Sequence, residues 1–204
     1  MAGTWPPPTF SKARLSIHAV PPGERFGRIY RDGFPDPLGF GKGPSRFSDP
    51  RRRVEANRFG VLYLGQTMKV CFLEAVLRDR RDGTAGSLPI QEDELDVRRF
   101  ADVEVVAPLR LVDLREDQAV LMGVPSDVHR SSRHTLGRMW SVAFHEHPAS
   151  PDGIVYPSRL NGHTNLAVYG RAVPKLRAVR VRELLAVPEL DQVLDDLEVA
   201  LVVT

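Results

Sequence analysis

Residues 59–77 run FGVLYLGQTMKVCFLEAVL, an apolar strand pattern followed at once by an apolar helix pattern. Such a pair belongs at the centre of whatever this chain builds. FGVLYLG at 59–65 reads as a strand. Thr67 is placed to cap a helix from Met68 to about Arg80, which Asp82 and Gly83 then end. Within VCFLEAVL at 70–77 every residue is apolar but one. Glu74 stands alone, within about 60° of helical arc of Val70 and Leu77. Burying an isolated carboxylate is costly unless it is paired. Glu74 is therefore ion-paired with one of the chain's arginines, protonated, or lining a cavity, and the last makes it a functional candidate.

The other elements are short. LSIHAV at 15–20 and RFGRIY at 25–30 read as strands, the second carrying Arg28. VEVVAPLRLVDL at 103–114 gives one or two strands, edged by Pro108. GIVYPS at 153–158, NLAVYG at 165–170 and AVRVREL at 178–184 also read as strands. Residues 116–122 suit a short helix. Residues 129–146 suit a longer one, with Leu136, Met139, Trp140, Ala143 and Phe144 at helical spacing and Pro148 as its stop. PELDQVLDDLEVALVV near the C-terminus reads as an amphipathic helix with Leu190, Val193, Leu194 and Leu197 on its apolar face. Residues 31–53 form a long loop rich in Gly and Pro, and 84–96 an acidic irregular link. Residues 1–13 read as a flexible, poorly packed arm, leaving 14–204 as a single domain. Strands and helices mix without regular alternation, which favours an α+β fold.

Composition limits the function classes. At 204 residues the chain can bury roughly 70% of its unfolded surface without staples. A single cysteine, Cys71, excludes an intramolecular disulfide framework and a Cys-rich zinc site, and it reads as a core residue. No apolar run reaches membrane-spanning length, and the first residues lack the pattern of a secretory signal. The expected location is the cytoplasm, with no membrane partner. The net charge of +2 does not by itself indicate a nucleic-acid binder. Charge is nonetheless uneven: residues 1–53 carry ten Lys/Arg against four Asp/Glu, and residues 183–198 carry six acids and no base. The basic third is either a solvated surface or an anion site.

Arg46 lies in GFGKGPSRFS, where glycines permit close backbone approach to a ligand and Lys42 adds charge. The spacing fits neither a phosphate-binding GK[ST] loop nor a dinucleotide fingerprint. HEHP at 145–148 lacks the HExxH spacing, so no metal site is expected, and Ser158 lacks the GxSxG setting of a nucleophile elbow.

In order along the chain stand Arg28 in GRIY, Arg46 in SRF, Tyr63 in VLYLG, Glu74 in FLEAV, Ser158 in YPSRLNG and Asn165 in TNLAVYG. Together these resemble the RES domain family over about residues 15–171, named for an Arg, a Glu and a Ser in its site. Two departures stand out. Ser48 replaces the Asn that many members carry after Arg-aromatic, and the arginine-rich RRRVEANR reads as a local insertion.

The resemblance implies a mixed, split β-sheet with flanking helices, similar to ADP-ribosyltransferase toxins. It implies a toxin of a bacterial toxin–antitoxin pair that consumes NAD, with a helical antitoxin as partner and a possible homo-oligomer. Phosphorolysis of NAD is the favoured reaction, with NAD hydrolysis and protein ADP-ribosylation as alternatives. NAD and inorganic phosphate are then substrates, and no tightly bound cofactor is implied. In that reading Arg28, Glu74 and Ser158 are catalytic, while Arg46, Tyr63, Lys42 and Asn165 bind substrate. Planar guanidiniums suit a pyrophosphate. A carboxylate suits the oxocarbenium-like state of glycosidic cleavage. Tyr63 could stack on nicotinamide, and Ser158 could hold a ribose hydroxyl or orient phosphate. A non-enzymatic anion or nucleic-acid binding module is the contrasting expectation.

Overall fold

The structure, a computed structural model, describes residues 5–51 and 54–203. Where the sequence alternates, β1 (Ile17–Val20) and β2 (Arg25–Arg31) form; β3 (Val61–Gly65) is buried at every residue but Tyr63. Thr67 accepts the Val70 N–H at 3.2 Å and starts α1 (Met68–Phe72) as its spacing predicts. There follow β4 (Leu88–Gln91), α2 (Glu92–Asp96), β5 (Arg98–Val105), β6 (Leu109–Asp113), α3 (Gln118–Leu121), α4 (Asp127–Arg130) and α5 (Thr135–His145). Then come β7 (Gly153–Pro157), β8 (Thr164–Tyr169), β9 (Leu176–Glu183), α6 (Leu190–Asp196) and β10 (Val199–Val202).

Eight strands form one mixed sheet in the order β1-β6-β7-β8-β3-β2-β5-β9. Its pairings are antiparallel except β6 with β7. The expected split is present: β2 meets β3 at one residue pair, Gly27 opposite Gly65, which divides five strands from three. A Cβ on Gly65 would stand 2.7 Å from the Cys71 sulfur, and one on Gly27 would stand 2.8 Å from the Phe100 ring. Bare glycine therefore lets α1 close over the junction. Burial pushes the Cys71 thiol up to about 12, so it is a packing residue at neutral pH.

Trp140 and Phe144 of α5 cluster with Val61, Ile154, Ala167 and Tyr169 of the sheet. Leu62, Leu64, Leu166 and Val168 point to the opposite face and pack with Val103 and Leu111. Phe72, Val76, Leu95, Leu190 and Leu194 form a third cluster that joins α1, α2 and α6. Each such side chain stabilises by about 1.5–3 kcal/mol when fully buried.

Several expectations need correction. Residues 8–12 are a packed 3-10 turn, and Phe10 meets Trp140 edge-on at 4.8 Å. Met1–Thr4 of the proposed arm, and Arg52 and Arg53 of the proposed insertion, lie outside the described residues. The link at 84–96 contains β4 and α2. β4 pairs in parallel with β10, from Leu88 opposite Val199 to Gln91 opposite Val202. That distant pairing also ends the C-terminal helix at Asp196 and turns Val199–Val202 into strand. The helix expected over 129–146 is two helices, α4 and α5, with 131–134 between them. The strand region at 103–114 begins earlier, at Arg98, and Pro108 separates β5 from β6.

Candidate active site

Helix α1 changes its winding at the lone glutamate. Leu73–Leu77 form a π-helical turn closed by the Arg78 N–H on the Leu73 carbonyl at 2.7 Å, so the helix stops short of Arg80. Arg78 follows at φ 44°, a left-handed value that costs a non-glycine residue about 1–3 kcal/mol. Single π-turns of this kind concentrate at functional sites. Two guanidiniums satisfy the carbonyls the turn exposes. Arg78 donates Nε to the Glu74 carbonyl at 2.9 Å, and Arg98 donates to the Ala75 carbonyl at 3.3 Å.

The Glu74 carboxylate is held from the sheet. Its Oε1 accepts from Ser158 Oγ at 2.7 Å and from Asn165 Nδ2 at 3.0 Å. Ser158 is 3% exposed and Asn165 4% exposed, so both donors are dry. Ser158 follows β7, and Asn165 lies in β8 between Tyr156 of β7 and Gly65 of β3. Among the described residues neither an arginine nor any other donor binds Oε2. Of the alternatives open from sequence, the structure gives the cavity: Glu74 borders a cleft of about 550 Å³.

Four arginines, Arg28, Arg46, Arg78 and Arg159, line that cleft beside Glu74 and Asp79. Arg28 donates Nη1 to the Pro37 carbonyl at 2.6 Å and stands 5.5 Å over the Tyr30 ring. Burial lowers its pKa, and a guanidinium still stays charged at neutral pH. Arg46 donates Nη1 to the Ser131 carbonyl at 2.6 Å. Each keeps further N–H donors for a ligand. Arg159 pairs with Asp79. His134 also borders the cleft; burial lowers its pKa first, and Arg46, Arg138, Arg78 and Arg159 lower it further. The cleft is therefore electropositive and suits an anionic ligand with a carboxylate at one margin.

The segment carrying Arg46 is fixed by hydrogen bonds, one of them from the guanidinium of Arg138 in α5, whose Nε donates to the Ser45 carbonyl at 2.9 Å. The Tyr63 hydroxyl meets Ser45 Oγ at 2.9 Å and accepts the Phe47 N–H at 2.9 Å. Ser141 of α5 donates to the Phe47 carbonyl at 2.7 Å. Ser48, the departure from the family pattern, accepts the Ser45 N–H at 2.9 Å and so closes the turn itself.

Of the residues singled out from sequence, Arg28, Arg46, Tyr63, Glu74 and Asn165 share this cleft. Two others do not line it. Ser158 stands behind Glu74 as its donor. Lys42 turns away to the Ala56 carbonyl at 2.7 Å, while Gly41 and Gly43 on either side face the cleft. Tyr63 keeps its ring in the lining, but its hydroxyl serves the loop, and burial raises its pKa. Sequence reasoning missed Arg78, Arg159 and Phe40. Arg78 lies four residues after Glu74, a spacing that places both on one helical face. Arg159 is adjacent to Ser158, and Phe40 is the aromatic inside the glycine loop.

His145 stacks on Phe59 at 4.1 Å while His147 bonds the Ala13 carbonyl at 3.1 Å, so the two imidazoles diverge. Among the described residues no group of three or more His, Cys, Asp or Glu side chains could hold a metal ion. No helix among them is long and apolar enough to cross a membrane.

Known proteins resemble this chain in sequence or in fold. The Sinorhizobium fredii (strain NBRC 101917 / NGR234) protein named "Probable toxin y4kH" is 43% identical over 127 residues, 62% of this chain and all of that protein. A chain of the M. tuberculosis MbcT–MbcA toxin–antitoxin complex has the same fold, with a TM-score of 0.61 at 20% identity, over 85% of this chain and 90% of that one. The RES domain profile matches residues 22–195, reaching beyond the motif region at 15–171 and taking in nearly all of α6. The chain belongs to the RES domain family.

Proposed function

We propose that this RES-domain chain is the toxin of a toxin–antitoxin pair, that it cleaves the nicotinamide–ribose bond of NAD, and that inorganic phosphate is the acceptor. Its relatives favour the toxin role: one is named a toxin and another comes from a toxin–antitoxin complex. A cognate antitoxin protein is the partner this reading requires. The observation that carries the chemistry is Glu74, a carboxylate with one oxygen held by two buried donors at the margin of an arginine-lined cleft.

In this reading Arg28 and Arg46 grip the pyrophosphate of NAD through their remaining N–H groups. The ribose C1″ lies beside Glu74. As the C1″–N bond lengthens, positive charge grows on the ribose and the carboxylate stabilises it. The bonding pair leaves with nicotinamide, which departs neutral. A phosphate oxygen then bonds C1″ to give ADP-ribose-1″-phosphate, and its proton passes to solvent. Ser158 and Asn165 keep the carboxylate aimed and prevent it from rotating as charge develops.

The test is NAD consumption by the purified protein with and without inorganic phosphate, products resolved by mass. Phosphate-dependent ADP-ribose-1″-phosphate is the expected product. Phosphate-independent ADP-ribose replaces phosphorolysis with hydrolysis. Attachment of ADP-ribose to a protein identifies a protein ADP-ribosyltransferase. No turnover by folded protein, together with salt-sensitive polyanion binding, overturns the enzymatic reading in favour of a binding module.

A further inference from the structure

Phe40 lies in the glycine-rich loop, yet its ring is seated on the sheet. A Cβ on Gly60 would fall 2.1 Å from the ring, and one on Gly170 would fall 2.7 Å from it. These glycines stand just before β3 and just after β8, joined by the Gly170 N–H on the Gly60 carbonyl at 2.9 Å. One side of the ring thus rests on paired backbone that has no side chain to push it away. Its other side is open: Phe40 is 36% exposed and lines the cleft. Scattered surface phenylalanines are ordinary. A phenylalanine clamped against rigid backbone with its free face in an anion-binding cleft is a built feature.

Three other aromatic side chains line the cleft among the described residues, Tyr63, His134 and Tyr156, and none is seated on glycine backbone as Phe40 is. Tyr156 is 5% exposed, and Tyr63 spends its hydroxyl on Ser45 and Phe47. The order of groups along β3 then matters. Gly65, opposite Asn165, marks the Glu74 end. Tyr63 stands mid-strand and holds the segment with Arg46. Gly60 marks the Phe40 end, about 16 Å from Gly65 at roughly 3.3 Å per residue. The Glu74 end, the segment carrying Arg46 and the seat of Phe40 are met in that order along β3. A dinucleotide has the matching order of reacting ribose, pyrophosphate and distal base.

We infer that Phe40 is the stacking platform for the adenine base of the substrate, and that it selects dinucleotides over ligands lacking that base. The inference rests on the reading of the cleft as an NAD site. Stacking of a base on an aromatic face accounts for the selection, because the phosphates alone are recognised by the arginines.

The experiment is calorimetric binding of two probes, ADP-ribose and inorganic pyrophosphate, to wild type and to Phe40→Ala, Phe40→Leu and Phe40→Trp. Leucine fills the seat on the glycines without an aromatic face and guards against a misfolded alanine variant. The Ala and Leu variants should weaken ADP-ribose by roughly 5–150-fold. Pyrophosphate should change by less than about twofold in both, and Phe40→Trp should keep ADP-ribose affinity. Equal losses for both probes, unchanged ADP-ribose affinity in the Ala and Leu variants, or no ADP-ribose binding by wild type would overturn the platform. The catalytic reading fails separately: a wild type that binds ADP-ribose through Phe40 but turns over no NAD leaves the platform standing.

Discussion

At one end of the cleft, Glu74 is held by Ser158 and Asn165, two dry side chains delivered by adjacent strands. At the other, Phe40 and Arg46 arrive on a loop of glycines and prolines, and Arg46 is tethered by a hydrogen bond from one guanidinium nitrogen. The sheet end fixes orientation, with a strained π-turn balanced by buried donors. The loop end supplies charge and surface, with donors left over. Bond-breaking requires sub-ångström placement, whereas gripping a flexible pyrophosphate requires several adaptable donors. The two ends therefore predict different kinetic signatures when altered.

The largest effect is expected at the rigid end. Glu74→Gln should lower NAD turnover by about 10²–10³-fold. The amide oxygen still accepts from Ser158 and Asn165, so the thermal midpoint should hold. Glu74→Ala should lose activity and also destabilise, because two buried donors lose their acceptor at about 1–3 kcal/mol each. Turnover at the wild-type rate by Glu74→Gln would place the chemistry elsewhere.

Arg46→Ala probes the loop end. Loss of charge-assisted hydrogen bonds of about 1.5–3 kcal/mol raises KM by roughly 10–150-fold, with kcat little changed. Added salt should raise the wild-type KM more than that of the variant. A drop in kcat at constant KM would erase the contrast between the ends. Ser158→Ala sharpens it from the other side. As a positioning residue, Ser158 should act on kcat by about tenfold, the effect of one hydrogen bond, and leave KM in place. A raised KM for phosphate would instead make Ser158 a ligand.

The base of the loop end carries a pH dependence. Burial holds His129 at about 4, with Arg130 and Arg46 adding to the effect, and His145 is also held at about 4, by burial and then by Arg171. Among the described residues, His129 Nδ1 and His145 Nδ1 are buried without a hydrogen-bond partner. The unfolded chain binds protons on these imidazoles near pH 6.5, whereas the folded chain refuses them until about pH 4. Stability is therefore full above about 6.5 and falls as pH drops towards 4, by at most about 1.4 kcal/mol per pH unit for each group. Urea unfolding across that window checks it, and His129→Leu should flatten the slope. A slope unchanged in that variant would assign the acid lability to other groups.

Much of the rigid end was legible because its signals are local. Short apolar runs marked β3, β7 and β8, and a charge alone in an apolar run marked Glu74. Ser158 and Asn165 came from the family resemblance, and the geometry adds that both donate to Glu74 Oε1. The pairing of β4 with β10 was hidden because its partners are far apart in sequence and β4 sits in an acidic stretch. The π-turn was hidden because 100° periodicity assumes the winding that Leu73–Leu77 abandon. Phe40 was hidden because its seat consists of two glycines, at positions 60 and 170, that show no pattern.

Lys42 gives the smallest effect and the cleanest control. It lies between two cleft-lining glycines in the most basic third of the chain, so charge counting alone would place it on substrate. Its ammonium instead caps the Ala56 carbonyl at an exposed site, outside the cleft. An exposed hydrogen bond of that kind contributes within about 0.5 kcal/mol. Lys42→Ala should therefore leave KM for NAD and for phosphate within about twofold of wild type. Arg46→Ala, four residues away and removing the same charge, should raise KM by at least about tenfold. If both variants raised KM alike, the loop end would work as a diffuse cationic surface. If only Arg46→Ala does, recognition depends on where the guanidinium points, and the loop is a positioned wall of the site.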